Sequence, residues 1–329
     1  MNMNIKEIIS KNWVTVFLLC VVLIIVLSLG SDIFWSLDNL NSLQTSIGPT
    51  AIVAFGMVIL LICGVFDLSV GSIMVLCGMV CARLFEIDMP VWMVVVMGLI
   101  LGAAAGAING VLVGVLKINA LIATIGTMNI FQGAAMLLFA ASRKGQAEYQ
   151  VTIEFPREFV QMGTGKLLGI YYIFWVMIIL LIGITIFLRY SPTGRKMYLT
   201  GDNREAAKMM GFNIPRLLLL SFVFTGFLCA LAGIISVARF EQANRYMGEG
   251  INIIVLISCI LGGASLLGGR GTAAGALFGV VFMSLVTNMF NLFEVKSTWQ
   301  NVVVGAILIV VVTLDGYLTI RKQQELGRI

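Results

Sequence analysis

Ten stretches of this chain are apolar for long enough, or nearly long enough, to cross a lipid bilayer, and that fact limits the fold more than any other. A helix needs about 20 predominantly apolar residues to cross a hydrocarbon layer about 30 Å thick. The stretches run approximately 13–30, 48–64, 69–86, 91–115, 118–141, 169–188, 217–238, 250–267, 272–292 and 300–320. Lipid offers no partners to an open sheet edge, and the alternating pattern of a barrel strand is absent, so the expectation is an all-α polytopic membrane protein of about ten helices. Composition agrees: 60% of the 329 residues are apolar and only 11% are charged, too few charges for the surface of a soluble domain of this length.

Lys6 and Lys11 precede the first apolar run, but no small-x-small cleavage site follows, so this run reads as an uncleaved span. Ten spans with both termini in the cytoplasm put most of the 21 Lys and Arg inside, the densest group in the loop 189–216. The loop 142–168, of mixed charge, then lies outside. The net charge of +5 is a topology signal, and no motif supports nucleic-acid binding. All six cysteines fall in or beside apolar runs and read as small buried hydrophobes. With no histidine in the chain and no acidic residue near Cys77 and Cys81, no metal set is expected.

No polar stretch is long enough for a second domain, so residues 1–329 read as one membrane domain. The chain lacks a phosphate-binding loop, and any ATP chemistry belongs to another chain. Gly268-Gly269-Arg270-Gly271 lacks the lysine of such a loop and reads as a tight turn between helices. Gly102, Gly106 and Gly110, and likewise Gly271, Gly275 and Gly279, recur every four residues, as expected where helix backbones pack closely. The pairs Gly64/Gly71 and Gly262/Gly269 form a faint internal echo, each bracketing a polar break.

Three groups of residues could carry function. Gly64-Val-Phe-Asp67-Leu-Ser69-Val-Gly71-Ser72 interrupts the apolar stretch 48–86. It reads either as a tight turn at the cytoplasmic surface followed by a capped helix, or as a break whose polar groups face the bundle interior. In the loop 189–216, the run 202–210 has good helix formers behind an Asp/Asn cap, with Gly211 able to end the helix. A short helix there presents Arg204, Glu205 and Lys208 to the cytoplasm, or else the loop is solvated and only fixes topology. Asn109, Thr124, Thr127, Asn129, Gln132, Thr287 and Asn288 are uncharged polar residues within spans. They suit a passage for a neutral polyol, or they join helices by hydrogen bonds.

The break resembles the Gly-x-x-Asp-Leu-Ser-Val-Gly-Ser signature of permeases from ribose-type and related carbohydrate ABC importers. Three more stretches agree in order: INALIATIGTMNIFQGAA (118–135), TGRKMYLTGDNREAAKMMGFNI (193–214) and LGGASLLGGRGTAAGALFGVV (261–281). Asn119 stands where that family usually has proline, and Asp202 replaces a glycine. The resemblance implies a non-catalytic, multi-pass subunit of a bacterial inner-membrane importer with no cofactor of its own. ATP and magnesium would be bound by a partner ATPase, which docks on Asp202, Asn203, Arg204, Glu205, Ala206, Ala207, Lys208 and Gly211. An extracytoplasmic binding protein would deliver a sugar to two permease copies, or to two related chains. The path or gate would use Asp67, Ser69, Asn109, Thr124, Thr127, Asn129, Gln132, Thr287 and Asn288. Related permeases handle nucleosides or a signalling furanose, and both remain alternatives, as does an ion-coupled carrier. A membrane enzyme lacks a nucleophile–base pair or a metal set.

Overall fold

The computed structural model describes residues 12–140, 145–146, 150–151 and 154–325. Among them, seven helices are long and apolar enough to cross a membrane. They are α2 (Leu37–Ile62), α4 (Val91–Gly110, prolonged by a π-helical turn, Val111–Val115), α5 (Ala120–Ala140), α7 (Tyr172–Tyr190), α10 (Ile214–Phe240), α12 (Ala273–Leu292) and the apolar part of α13 (Ser297–Glu325). Three shorter apolar helices are α1 (Asn12–Gly30), α3 (Val70–Phe85) and α11 (Ile251–Leu261). The remaining helices, α6 (Arg157–Thr164), α8 (Pro192–Asp202) and α9 (Arg204–Met209), are short and polar.

Helices thus occupy all ten apolar stretches, with three differences from expectation. First, α2 begins at Leu37 rather than near 48, because Ser36 accepts a hydrogen bond from the Asn39 N–H and starts the helix in a polar segment. Second, α3 has 16 residues and α11 has 11, both short of a full crossing. Gly71, in the first turn of α3, and Gly248, in the 3-10 turn Arg245–Gly248 just before α11, have their backbones in contact. Third, the segment 142–168 is partly ordered into secondary structure. Strands β1 (Gly145–Gln146), β2 (Gln150–Val151) and β5 (Ala243–Asn244) form a small antiparallel sheet, and β3 (Lys166–Leu167) pairs with β4 (Ile170–Tyr171). The sheet joins two loops that the charge pattern puts on one face.

Close helix approach comes from small residues, as the four-residue glycine spacing predicts. A Cβ on Gly102 would lie 2.5 Å from the Gly226 carbonyl oxygen, and one on Gly106 would lie 2.2 Å from that of Phe222. Gly98 and Gly114 extend the same stripe against α10. Likewise Gly275 meets Gly262, and Gly279 meets Ser258, so α12 lies backbone to backbone on α11. The core is α2, α3 and α10 with α11 and α12 beside them, while α5 and α7 present large apolar side chains outward. The six cysteines are buried and unpaired.

Candidate functional site

At its C-terminus α2 stops because Gly64 takes a left-handed conformation, φ +74°, that a side chain would resist. The Gly64 N–H bonds to the Leu61 carbonyl and the Val65 N–H to that of Leu60. The end of α11 repeats this arrangement: Gly263 has φ +96° and bonds to Ile260, and Ala264 bonds to Cys259. The echo noted in sequence is therefore a shared helix stop, displaced by one residue at the second site. The end of α2 meets the loop that follows α11, since the Gly269 N–H donates to the Ile62 carbonyl at 3.0 Å.

Beyond Gly64 the chain carries Asp67 into the bundle, where it is fully buried. Its Oδ1 accepts from the Ser69 N–H at 2.7 Å and from the Ser69 hydroxyl at 2.6 Å. Its Oδ2 accepts from Asn109 Nδ2 on α4 at 3.1 Å, and that amide also reaches Ser69 Oγ at 2.8 Å. Both Ser69 and Asn109 are fully buried too. The break is thus interior rather than a surface turn, and Ser69 precedes α3 without capping it through its side chain. Asn109 Oδ1 has no hydrogen-bond partner.

Cavities lie on either side of this break. One, of about 630 Å³, is bounded by Gly64, Val65 and Phe66, by Lys117 in the α4–α5 turn, and by Arg204 and Lys208. The other, of about 380 Å³, is bounded by Leu68, Gly71 and Ser72 together with Gln132, Tyr246 and Asn252. The segment Phe66–Leu68 stands between them, held by Asp67.

Within the run 202–210 the expected short helix forms behind Asn203. Asp202 ends α8, and Asn203 caps α9 by accepting from the Ala206 N–H at 2.9 Å. Arg204, Glu205 and Lys208 are exposed as expected, with Lys208 paired to Glu205 at 2.6 Å. Ala206 is half-buried, Ala207 is fully buried, and Gly211 at φ +75° ends the helix. Next to them Met209 is 91% exposed, a large apolar side chain with no cover. Gly201 of α8 fixes this unit to the bundle, because a Cβ there would lie 1.9 Å from the Ile62 carbonyl and 2.4 Å from Gly269 N. Tyr198 donates to the Gly271 carbonyl at 2.8 Å, and burial pushes its phenol above the usual range, so it stays a donor.

The other path candidates scatter. Thr124 and Thr127 are buried, with their hydroxyls returned to the Ala120 and Thr124 carbonyls, and Thr287 bonds to Met283. Asn288 forms a reciprocal amide pair with Asn39, at 2.6 and 3.3 Å, joining α12 to α2. The three threonine hydroxyls are thus satisfied within their own helices, and only Asn288 links two helices. Asn129 and Gln132 instead lie exposed on α5, near Gly126 and Gly133, where an added Cβ would meet nothing within 4 Å.

Sequence reasoning missed the polar start of α2. Asn41, Ser42, Thr45, Ser46 and Thr50 line a third cavity, of about 550 Å³, with Tyr171 and Arg239. Lys166 and Arg239 each lie 4.4 Å from the Tyr171 ring centroid. The signal was present: Ser36 is a good cap residue, and hydroxyls recur at helical spacing behind it. Tyr246 and Asn252 were also missed, because they lie in a 3-10 turn and at a helix start that carry no pattern.

A bundle of crossing helices, a buried polar break between two cavities and a short helical pair standing off one end define a polytopic membrane permease. The chain belongs to the family described as branched-chain amino acid transport system / permease component, which matches residues 39–312. It is 31% identical to the ribose import permease protein RbsC of Haemophilus influenzae, over 93% of this chain and 94% of that one. It is 35% identical to the L-arabinose transport system permease protein AraH of Escherichia coli, over 86% of this chain and 84% of the relative. With the autoinducer 2 import system permease protein LsrC of Escherichia coli it shares 31% identity, over 94% and 89%. No solved structure matches.

Proposed function

We propose that this chain is the membrane subunit of an ATP-driven importer that carries a sugar across a bacterial inner membrane. The relatives named for ribose, L-arabinose and autoinducer 2 support a small polyhydroxylated cargo, of which a monosaccharide is the primary reading and a signalling furanose or nucleoside the second. In a ten-span topology with both termini cytoplasmic, in which α3 and α11 cross together with the chain that flanks them, α8 and α9 lie inside, where a partner ATPase holding ATP and magnesium docks. The binding protein delivers cargo at the opposite end. A second copy, or a related chain, covers the α5 face: an amide such as Asn129 is costly against lipid, and Gly126 and Gly133 leave room for a neighbour.

One observation carries the reading. The α8–α9 unit, with exposed Arg204, Glu205, Lys208 and Met209, abuts through Gly201 the very turn of α2 that continues into the Asp67 break. Motion imposed by an ATPase on α9 therefore reaches the wall between the two cavities through backbone contacts, with no flexible side chain in the path. In proteoliposomes containing the partner ATPase, Ala206→Pro removes the N–H that Asn203 caps, so ATP hydrolysis is expected to continue while uptake falls about tenfold or more. Uptake that persists without any ATPase chain refutes the reading. The buried Asp67 favours one rival, an ion-coupled carrier. That rival requires uptake to collapse when a protonophore or a sodium-free buffer removes the gradient.

A further inference from the structure

We propose that the 380 Å³ cavity between α3, α5 and the turn before α11 is the station where the cargo rests midway, and that it selects a neutral ring bearing adjacent hydroxyls. This deepens the importer reading and rests on it. The cavity is placed at mid-bundle: Gln132 sits near the centre of α5, and the short helices α3 and α11 both begin at its wall. Transport sites commonly lie near the bilayer midplane where helices are discontinuous. Here the discontinuity is tight, since a Cβ on Gly71 would lie 2.3 Å from the Gly248 oxygen and one on Gly248 would lie 2.2 Å from that of Gly71.

The lining has the chemistry of a polyol site. Gln132 and Asn252 each offer an amide, a donor and an acceptor side by side, which matches two neighbouring hydroxyls. Ser72 and Tyr246 add hydroxyls, Glu249 accepts, and the first N–H groups of α3 and α11 have no acceptor within their own helices. Among the described lining residues there is no Lys or Arg, while Glu249 is an acid. A sugar phosphate, or the carboxylate of an amino acid, would find a like charge there and no cation among the described lining residues. Leu68, Met128 and Ile253 supply apolar contact for the C–H faces of a ring. The chosen class therefore differs from the branched-chain amino acid in the family's description.

The test uses the full complex, with its ATPase and binding protein, in proteoliposomes. Uptake of labelled D-ribose and L-arabinose is compared for wild type, Gln132→Leu and Asn252→Leu, with Leu168→Ser on the exposed β3–β4 hairpin as the control. Both site variants are expected to lose about tenfold or more of their uptake and to change the ribose-to-arabinose ratio, which a general packing defect would leave alone. Separately, Asn252→Cys is labelled with a small maleimide; the native cysteines are all buried. D-ribose is expected to slow that labelling, and L-leucine and ribose 5-phosphate to leave it unchanged. Unaltered uptake and ratio in both variants, or protection by leucine or the phosphate, overturns the site while ATP-driven sugar uptake by wild type leaves the importer reading intact. A wild-type complex that moves no sugar overturns the importer reading itself.

Discussion

Among the described residues Asp67 has no Lys or Arg partner and is held by hydrogen bonds whose donors are Ser69 and Asn109. Removing the carboxylate by Asp67→Ala leaves buried donors unpaired, a loss of about 1–3 kcal/mol, visible as a lower thermal midpoint of the purified protein in detergent. Asp67→Asn is expected to be milder. The new amide can face Asn109 once that side chain turns over, bringing its unpaired Oδ1 to bear on the added N–H groups. Sugar uptake by Asp67→Asn within about threefold of wild type fits a structural latch, whereas abolished uptake with an undiminished thermal midpoint fits a titrating group in ion coupling.

Between elements, glycine decides distance. On α4 the stripe from Gly98 to Gly114 brings that helix onto α10 with no room for a methyl group. Gly106→Val should destabilise the protomer by about 1–3 kcal/mol or prevent its insertion, read as lost monodispersity on size-exclusion chromatography. Gly201 serves transmission rather than packing of spans. Gly201→Ala forces α8 away from Ile62 and Gly269, so the complex should still bind its ATPase but couple hydrolysis to uptake several-fold less well, measured as sugar moved per ATP consumed. That residue lies within the motif by which the loop resembles carbohydrate permeases, yet its role depends on the ends of α2 and α11, which are remote in sequence.

For the whole molecule, the α5 face is where the proposed second copy would sit. Ile122, Ile130 and Leu137 are well exposed there, as an apolar span requires, but Asn129 interrupts them. Gly133→Leu fills open space on this face without touching the protomer core. Its expected effect is an unchanged thermal midpoint for the protomer with a shift from dimer to monomer on native mass spectrometry, whereas an unshifted dimer would place the contact elsewhere.

The sequence alone determined the solvent, the helical class and the approximate spans, because hydrophobic runs and basic loops are local properties that lipid enforces residue by residue. It also located the α9 cap and stop, since Asn203 and Gly211 act within one turn of chain. Tertiary structure alone decided that Asp67 faces inward onto Asn109 and that Asn288 ties α12 to α2. It alone divided the cavities at Phe66–Leu68. Each of these depends on groups brought together from distant parts of the chain, and a polar residue in an apolar run reads the same in sequence whether its partner is a neighbouring helix, its own backbone or a passing solute.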